Sequence, residues 1–256
     1  MILTSTETDA SVRSRTRRKR GETAARPVLR YGLSFPLVQS WAAVFVLALA
    51  LMLPGATMIQ AQTPPAAGRE IRLVALGDSL SAGYNLPASA AFPAVLEQAL
   101  RQKGLRVTVA NAGVSGDTAQ GGLDRLDWSV PNGTDGVILE LGANDALRGF
   151  DPATTEKALD AVIARLKARG IAVLLAGMHA PRNLGPDYAA RFDGLFPKLA
   201  QKHGVMLYPF FLDGVAGDRA LNQPDLLHPT AEGVRVLVSR ILPSMERFVA
   251  GLSVKP

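Results

Sequence analysis

Between Ile71 and Val249 the chain alternates five short apolar runs with segments of helical periodicity, and few architectures accept that order. The runs are Ile71–Leu76, Arg106–Ala110, Gly136–Leu141, Ile171–Ala176 and Val205–Tyr208. Each is nearly continuous in hydrophobicity, as a strand buried on both faces must be. Ala91–Lys103, Thr118–Leu126, Pro152–Arg169, Asp187–His203 and Thr230–Val249 read as helices. Punctuation supports the division: Asp151 and Thr230 are good N-caps, and Gly104 and Gly170 stop the helices before them. Strands separated by long helices imply a parallel sheet covered on both faces. With right-handed crossovers the expected fold is α/β, a flavodoxin-like three-layer α/β/α arrangement. Its five-stranded parallel sheet has the order 2-1-3-4-5.

In such sheets, ligands sit beyond the carboxyl ends of the strands. The residues able to do chemistry gather there. Ser79 follows the first strand, Gly113 the second and Asn144 the third, while Asp225 and His228 follow the fifth. A serine hydroxyl is a weak nucleophile unless a base takes its proton, and the base needs a carboxylate to fix its tautomer. Asp225-Leu-Leu-His228-Pro supplies both groups on a corner that Pro229 and Thr230 hold.

Each block alone has an ordinary reading. Gly77-Asp-Ser-Leu80 reads equally as a capped turn. It is not the G-x-S-x-G elbow, because Ser81 occupies the last glycine's place, and it lacks the lysine of a phosphate-binding loop. Asn111-Ala-Gly113 and Gly142-Ala-Asn144 could be plain strand-to-helix turns. They also offer a glycine amide and an asparagine amide to an oxyanion beside the Ser79 N–H. Such donors are typically worth about 10²–10³ in rate each. Of the other histidines, His179 stands at the same edge and can line a cleft, whereas His203 ends a helix, where a cation suits the dipole.

The first 61 residues are different in kind. They hold eight Lys/Arg and three Asp/Glu, leaving twenty and nineteen for the rest, so the basic character belongs to this segment. A basic region, the apolar run Trp41–Leu53 and a small residue at Ala61 are expected to form a secretory signal, giving an exported, periplasmic protein. The alternative is an uncleaved anchor over residues 33–53 in the inner membrane. Arg17-Arg18 lacks the surroundings of a twin-arginine signal. Residues 62–69 read as a linker and 70–256 as the catalytic domain. A nearly neutral domain gives no reason to expect nucleic acid, and a membrane is expected only through the N-terminal segment. With no cysteine and no His-Glu-x-x-His pair, neither a thiol nucleophile nor a metal site is expected.

The four blocks, in this order, resemble the SGNH (GDSL) hydrolase superfamily over roughly residues 70–250. The likeness is strongest to the bacterial periplasmic acyl-CoA thioesterase I, lysophospholipase and arylesterase group. It is carried by Gly77-Asp-Ser-Leu-Ser-Ala-Gly-Tyr84, Ser115-Gly-Asp-Thr118, Asn144-Asp-Ala-Leu-Arg-Gly149 and Tyr208-Pro-Phe-Phe211. The resemblance implies a serine ester hydrolase that needs no cofactor or metal. Ser79, His228 and Asp225 would form its triad, and Ser79, Gly113 and Asn144 its oxyanion hole. The substrate would be a small-molecule ester or thioester, lipid-derived ones included. Ala143 and Thr230 depart from the usual glycine or asparagine and the usual asparagine, and bear on substrate rather than mechanism. Asp78 and Asp145 are expected to tie neighbouring loops. A shallow apolar groove suited to short or medium acyl chains is expected from Leu147, Phe150, Met178, Leu184 and Tyr188, with Phe192 in the core. A carbohydrate O-acetylesterase is the nearest alternative. A non-catalytic envelope binding domain comes next, and a nucleotide or flavin domain is disfavoured by the missing phosphate motif.

Overall fold

The computed structural model describes residues 69–253. The signal or anchor expected in residues 1–61 lies outside them, as does all but the last residue of the linker. The sheet is β1 (Ile71–Gly77), β2 (Val107–Gly113), β3 (Gly136–Glu140), β4 (Ala172–Ala176) and β5 (Met206–Tyr208). All neighbours are parallel, in the order β2-β1-β3-β4-β5 that the alternation predicts. The helices, in chain order, are α1 (Ser79–Ala82), α2 (Phe92–Gln102), α3 (Ala119–Asp124), α4 (Leu126–Ser129), α5 (Ala143–Leu147), α6 (Pro152–Ala168), α7 (Pro186–His203) and α8 (Ala231–Ser253). Among the described residues no helix is long and apolar enough to cross a membrane.

The apolar stripes of α2 and α8 pack together on one face, and α6 packs with α3 and α7 on the other. Leu96, Leu100, Ile138, Leu159, Phe192 and Ile241 are fully buried between these layers. Truncating one of the larger aliphatic side chains here to alanine costs about 2–5 kcal/mol. Asp151 caps α6 through a bond from Ala153 N–H at 3.1 Å, and Gly204 ends α7 in the left-handed conformation.

Two differences from expectation at the carboxyl edge bear on the site. β2 continues past Ala110 to Gly113, because Asn111, Ala112 and Gly113 pair with Ala75, Leu76 and Gly77 of β1. The ladder overrides the low strand propensity of Asn and Gly. The helix expected over 118–126 is broken into α3 and α4 at Arg125. Gly121 and Gly122 weaken it from within, and Arg125 is drawn under the sheet edge. Its guanidinium donates to Ala112 O (2.7 Å) and Gly77 O (2.8 Å), joining the ends of β2 and β1, and pairs with Asp117 at 2.6 Å. Arg125 is 7% exposed, so these bonds satisfy a buried charge that would otherwise be costly.

Candidate active site

Asp78 caps the single turn α1 by accepting Leu80 N–H at 2.9 Å, which places Ser79 at its first position. Gly83 closes the turn, with its N–H on Ser79 O. Behind it, Glu140 at the end of β3 is fully buried. Its Oε2 accepts Ser81 Oγ–H at 2.7 Å and Asp78 N–H at 3.3 Å, while Oε1 has no partner among the described residues. Burial, then the charge of Asp78, pushes the Glu140 carboxyl well above its ordinary range. Burial likewise lifts Asp78 to about 6, opposed by the Leu80 N–H, by His228 and by Asn144.

The opposite wall is a short loop folded back on itself. Asn222 bridges Pro229, Gln223 N–H donates to His228 O at 2.7 Å, and Leu226 N–H donates to Gln223 O at 2.9 Å. Inside it, Asp225 Oδ1 accepts the N–H groups of Leu227 (2.9 Å) and His228 (3.0 Å), leaving Oδ2 for His228 Nδ1 at 2.7 Å. The bond to His228, then those two backbone donors, hold the Asp225 carboxyl down at about 2. An ionised carboxylate only accepts, so Nδ1 carries the imidazole proton and Nε2 is the acceptor. Nε2 lies 2.9 Å from Ser79 Oγ. The Tyr84 ring covers the imidazole at 4.4 Å between centroids. Gln223 joins the two walls, its side-chain amide donating to Tyr84 O (2.8 Å) and Pro229 O (3.0 Å).

Ser79, His228 and Asp225 are thus brought together, and Asn144 lies beside them. Its amide donates to Asp78 Oδ2 at 3.1 Å and to Asp117 O at 3.0 Å. Asp145 accepts from Ala119 N–H (2.9 Å) and Thr155 Oγ1–H (3.0 Å), tying α5 to α3 and α6. Gly113 is not available as expected. Its N–H donates to Asn111 Oδ1 at 2.9 Å, and a Cβ there would lie 2.3 Å from Ala82 N, so it serves close packing of β2 on α1. Three residues on, Gly116 has φ +81 in a turn closed by Asp117 N–H on Val114 O. Among the described residues its N–H donates to no protein group. It immediately precedes Asp117, whose carbonyl holds Asn144. The demand of such a turn for glycine at its third position was the available sequence signal.

A cavity of about 650 Å³ opens over Ser79 and His228. Leu147, Met178, Phe210, Leu212, Leu226 and Leu227 supply its apolar lining, with His179 and Arg182 at its polar side. Of the expected groove, Leu147 and Met178 are there; Phe150, Leu184 and Tyr188 are not. The Tyr188 hydroxyl donates to Phe150 O at 2.8 Å and its ring stacks on Phe192, which occupies both Tyr188 and the Phe150 backbone in holding α7. Leu184 shares a one-turn 3₁₀ segment with Arg182 but does not itself line the cavity. His179 pairs with Asp193 at 3.2 Å, and His203 with Asp160 at 2.7 Å. A second depression, about 370 Å³ between β4, β5 and α8, has no serine, histidine or carboxylate in its lining.

A serine bonded to an imidazole, and through it to a carboxylate, on the carboxyl edge of a doubly wound sheet is the constellation of a serine hydrolase. Residues 75–236 match the model of the GDSL-like lipase/acylhydrolase family. An arylesterase of Vibrio mimicus is 42% identical over 162 residues, 63% of this chain and 81% of the relative. Esterase TesA of Pseudomonas aeruginosa is 35% identical over 198 residues, 77% of this chain and 98% of the relative. The solved structure of the SGNH-hydrolase esterase AlinE4, 44% identical, superposes with a TM-score of 0.61 over 71% of this chain and 98% of its own. The chain belongs to the GDSL-like lipase/acylhydrolase family, and it is an ester-cleaving hydrolase.

Proposed function

We propose that the protein hydrolyses acyl esters and thioesters through an acyl-enzyme on Ser79. His228 Nε2 takes the Oγ proton as Oγ attacks the carbonyl carbon, and Asp225 steadies the imidazolium. The tetrahedral oxyanion is held by the N–H groups of Ser79 and Gly116 and by Asn144, with Gly116 in the role first expected of Gly113. Asn144 reaches it by sharing the N–H that it gives to Asp78. Collapse expels the alkoxide or thiolate, which takes the proton from His228. Water, deprotonated by the same nitrogen, then attacks the acyl group, releasing the acid and restoring the Ser79 hydroxyl.

The observation that carries this reading is the continuous chain from Asp225 Oδ2 through His228 to Ser79 Oγ, at 2.7 and 2.9 Å. The apolar cavity beside it favours an aliphatic acyl group over the acetyl group of a decorated sugar. The names of the relatives, arylesterase, esterase TesA and the thioesterase 1/protease 1/lysophospholipase L1 of Escherichia coli, support ester and thioester leaving groups. Export to the periplasm through residues 1–61, with residues 62–69 as linker, is part of the proposal.

The test is hydrolysis of p-nitrophenyl esters from acetyl to palmitoyl by the purified protein and by Ser79→Ala. Activity abolished by the substitution is the expected result. Hydrolysis that survives it would overturn the assignment of Ser79.

A further inference from the structure

Leu226 stands in the left-handed region at φ 60. Among the described residues the only other non-glycine with positive φ is Asn85, at φ 56. Asparagine visits that region readily through local hydrogen bonds, whereas a leucine is a steric outlier there. The loop explains the backbone. Pro224 presets the second position of a turn that Leu226 N–H closes onto Gln223 O. The chain must then reverse at once, so that Asp225 Oδ1 can accept both Leu227 and His228 N–H.

The loop does not explain the side chain. Glycine would follow the same path without the clash. Nor does the side chain strengthen the core, for Leu226 is 46% exposed and Leu227 47%. Both belong to the lining of the cavity over Ser79, as does the half-exposed Leu147. Three leucines left open to water beside a nucleophile form an apolar patch that a ligand would cover.

We infer that Leu226 is a specificity-determining residue. With Leu227 and Leu147 it forms an apolar lip that receives the methylenes of a medium-length or longer unbranched acyl chain, and the strained backbone is retained for that contact. This rests on the reading of Ser79 as the nucleophile of an ester hydrolase. Each methylene buried against the lip contributes about threefold to fourfold to kcat/KM. An acetyl group is too short to use it.

The experiment measures kcat/KM for p-nitrophenyl acetate, butanoate, octanoate and decanoate, together with the melting temperature. It compares the natural protein with Leu226→Gly, Leu226→Asn and Leu226→Met. Glycine and asparagine suit the backbone but remove the apolar contact; methionine keeps the contact. The decanoate-to-acetate ratio should fall about tenfold in the first two and be retained in Leu226→Met. Leu226→Gly should melt no lower than the natural protein. A ratio unchanged by Leu226→Gly and Leu226→Asn overturns the inference alone. A ratio lost equally in Leu226→Met overturns it too, since the effect would then belong to the loop. Hydrolysis by none of the four proteins removes the Ser79 assignment and the inference with it.

Discussion

Ser81 Oγ donates to Glu140 Oε2 at 2.7 Å, so the residue two past Ser79 is fixed to the buried end of the central strand. That bond, with the weaker one from Asp78 N–H, sets the height of the α1 turn above the sheet. The carboxyl that receives them is fully buried, and among the described residues its second oxygen is unpartnered.

Its consequence is a pH-dependent stability. The folded-state value of Glu140 lies above the unfolded value near 4.5, so the folded protein binds this proton more tightly. The resulting stabilisation is complete below about pH 4.5 and is lost as the pH rises through the folded value. Asp78, lifted from 3.8 to about 6, acts in the same direction over that window. Glu140→Gln keeps an acceptor for Ser81 without the charge. Its melting temperature should therefore gain on that of the natural protein as the pH is raised from 4 to 8. Melting curves that run parallel across this range would contradict the burial argument. Glu140→Ala, which strands the Ser81 hydroxyl, should cost about 1–3 kcal/mol on that account alone.

Asp225→Asn should leave the fold intact and lower kcat by about 10³–10⁴. The amide can no longer hold the proton on Nδ1, and His228 then presents the wrong tautomer to Ser79. Circular dichroism with single-turnover kinetics separates this from unfolding.

The two glycines after Asn111 should part company. Gly113→Ala drives a Cβ into the α1 backbone and should lower stability by about 1–3 kcal/mol. Gly116→Ala meets open space apart from the tip of Arg148, but strains a residue at φ +81. It should act mainly on kcat. Asn144→Ala should cost about 10²–10³ in kcat with little change in KM. Equal kinetic effects of the two glycine substitutions, after correction for the folded fraction, would return the donor role to Gly113.

The Tyr84 ring covers His228, and among the described residues no bond involves its hydroxyl. Tyr84→Phe should thus behave as the natural protein, whereas Tyr84→Ala should lose about 2- to 10-fold in kcat/KM. A marked loss in Tyr84→Phe would point to the hydroxyl instead.

The sheet order was legible because each strand is short, continuously apolar and followed by a helix long enough to cross over. Ser79, His228 and Asp225 were legible because a fold of this class brings the residues after β1 and β5 to one edge. That Asn111 takes the N–H of Gly113 was not, because it depends on β2 running on to Gly113. Arg125 escaped notice for a similar reason, since an arginine in a helical pattern reads as surface until the carbonyls that it joins are known. The groove was half read. Phe150 and Tyr188 carry apolar rings at the right edge, yet Tyr188 is taken up by α7. Leu226 and Leu227 lie between Asp225 and His228, where the pattern reads only as a turn.

The loop from Asn222 to Pro229 carries Asp225 and His228 as one prefabricated piece, and Ser79 belongs to another. Between the pieces run the 2.9 Å contact of His228 with Ser79, the Tyr84 ring and the Gln223 clasp. The proposed mechanism therefore depends on how these two pieces dock, each held by its own hydrogen bonds. Widening that seam would silence the enzyme while leaving every helix and strand in place, and closing it again would restore turnover without refolding.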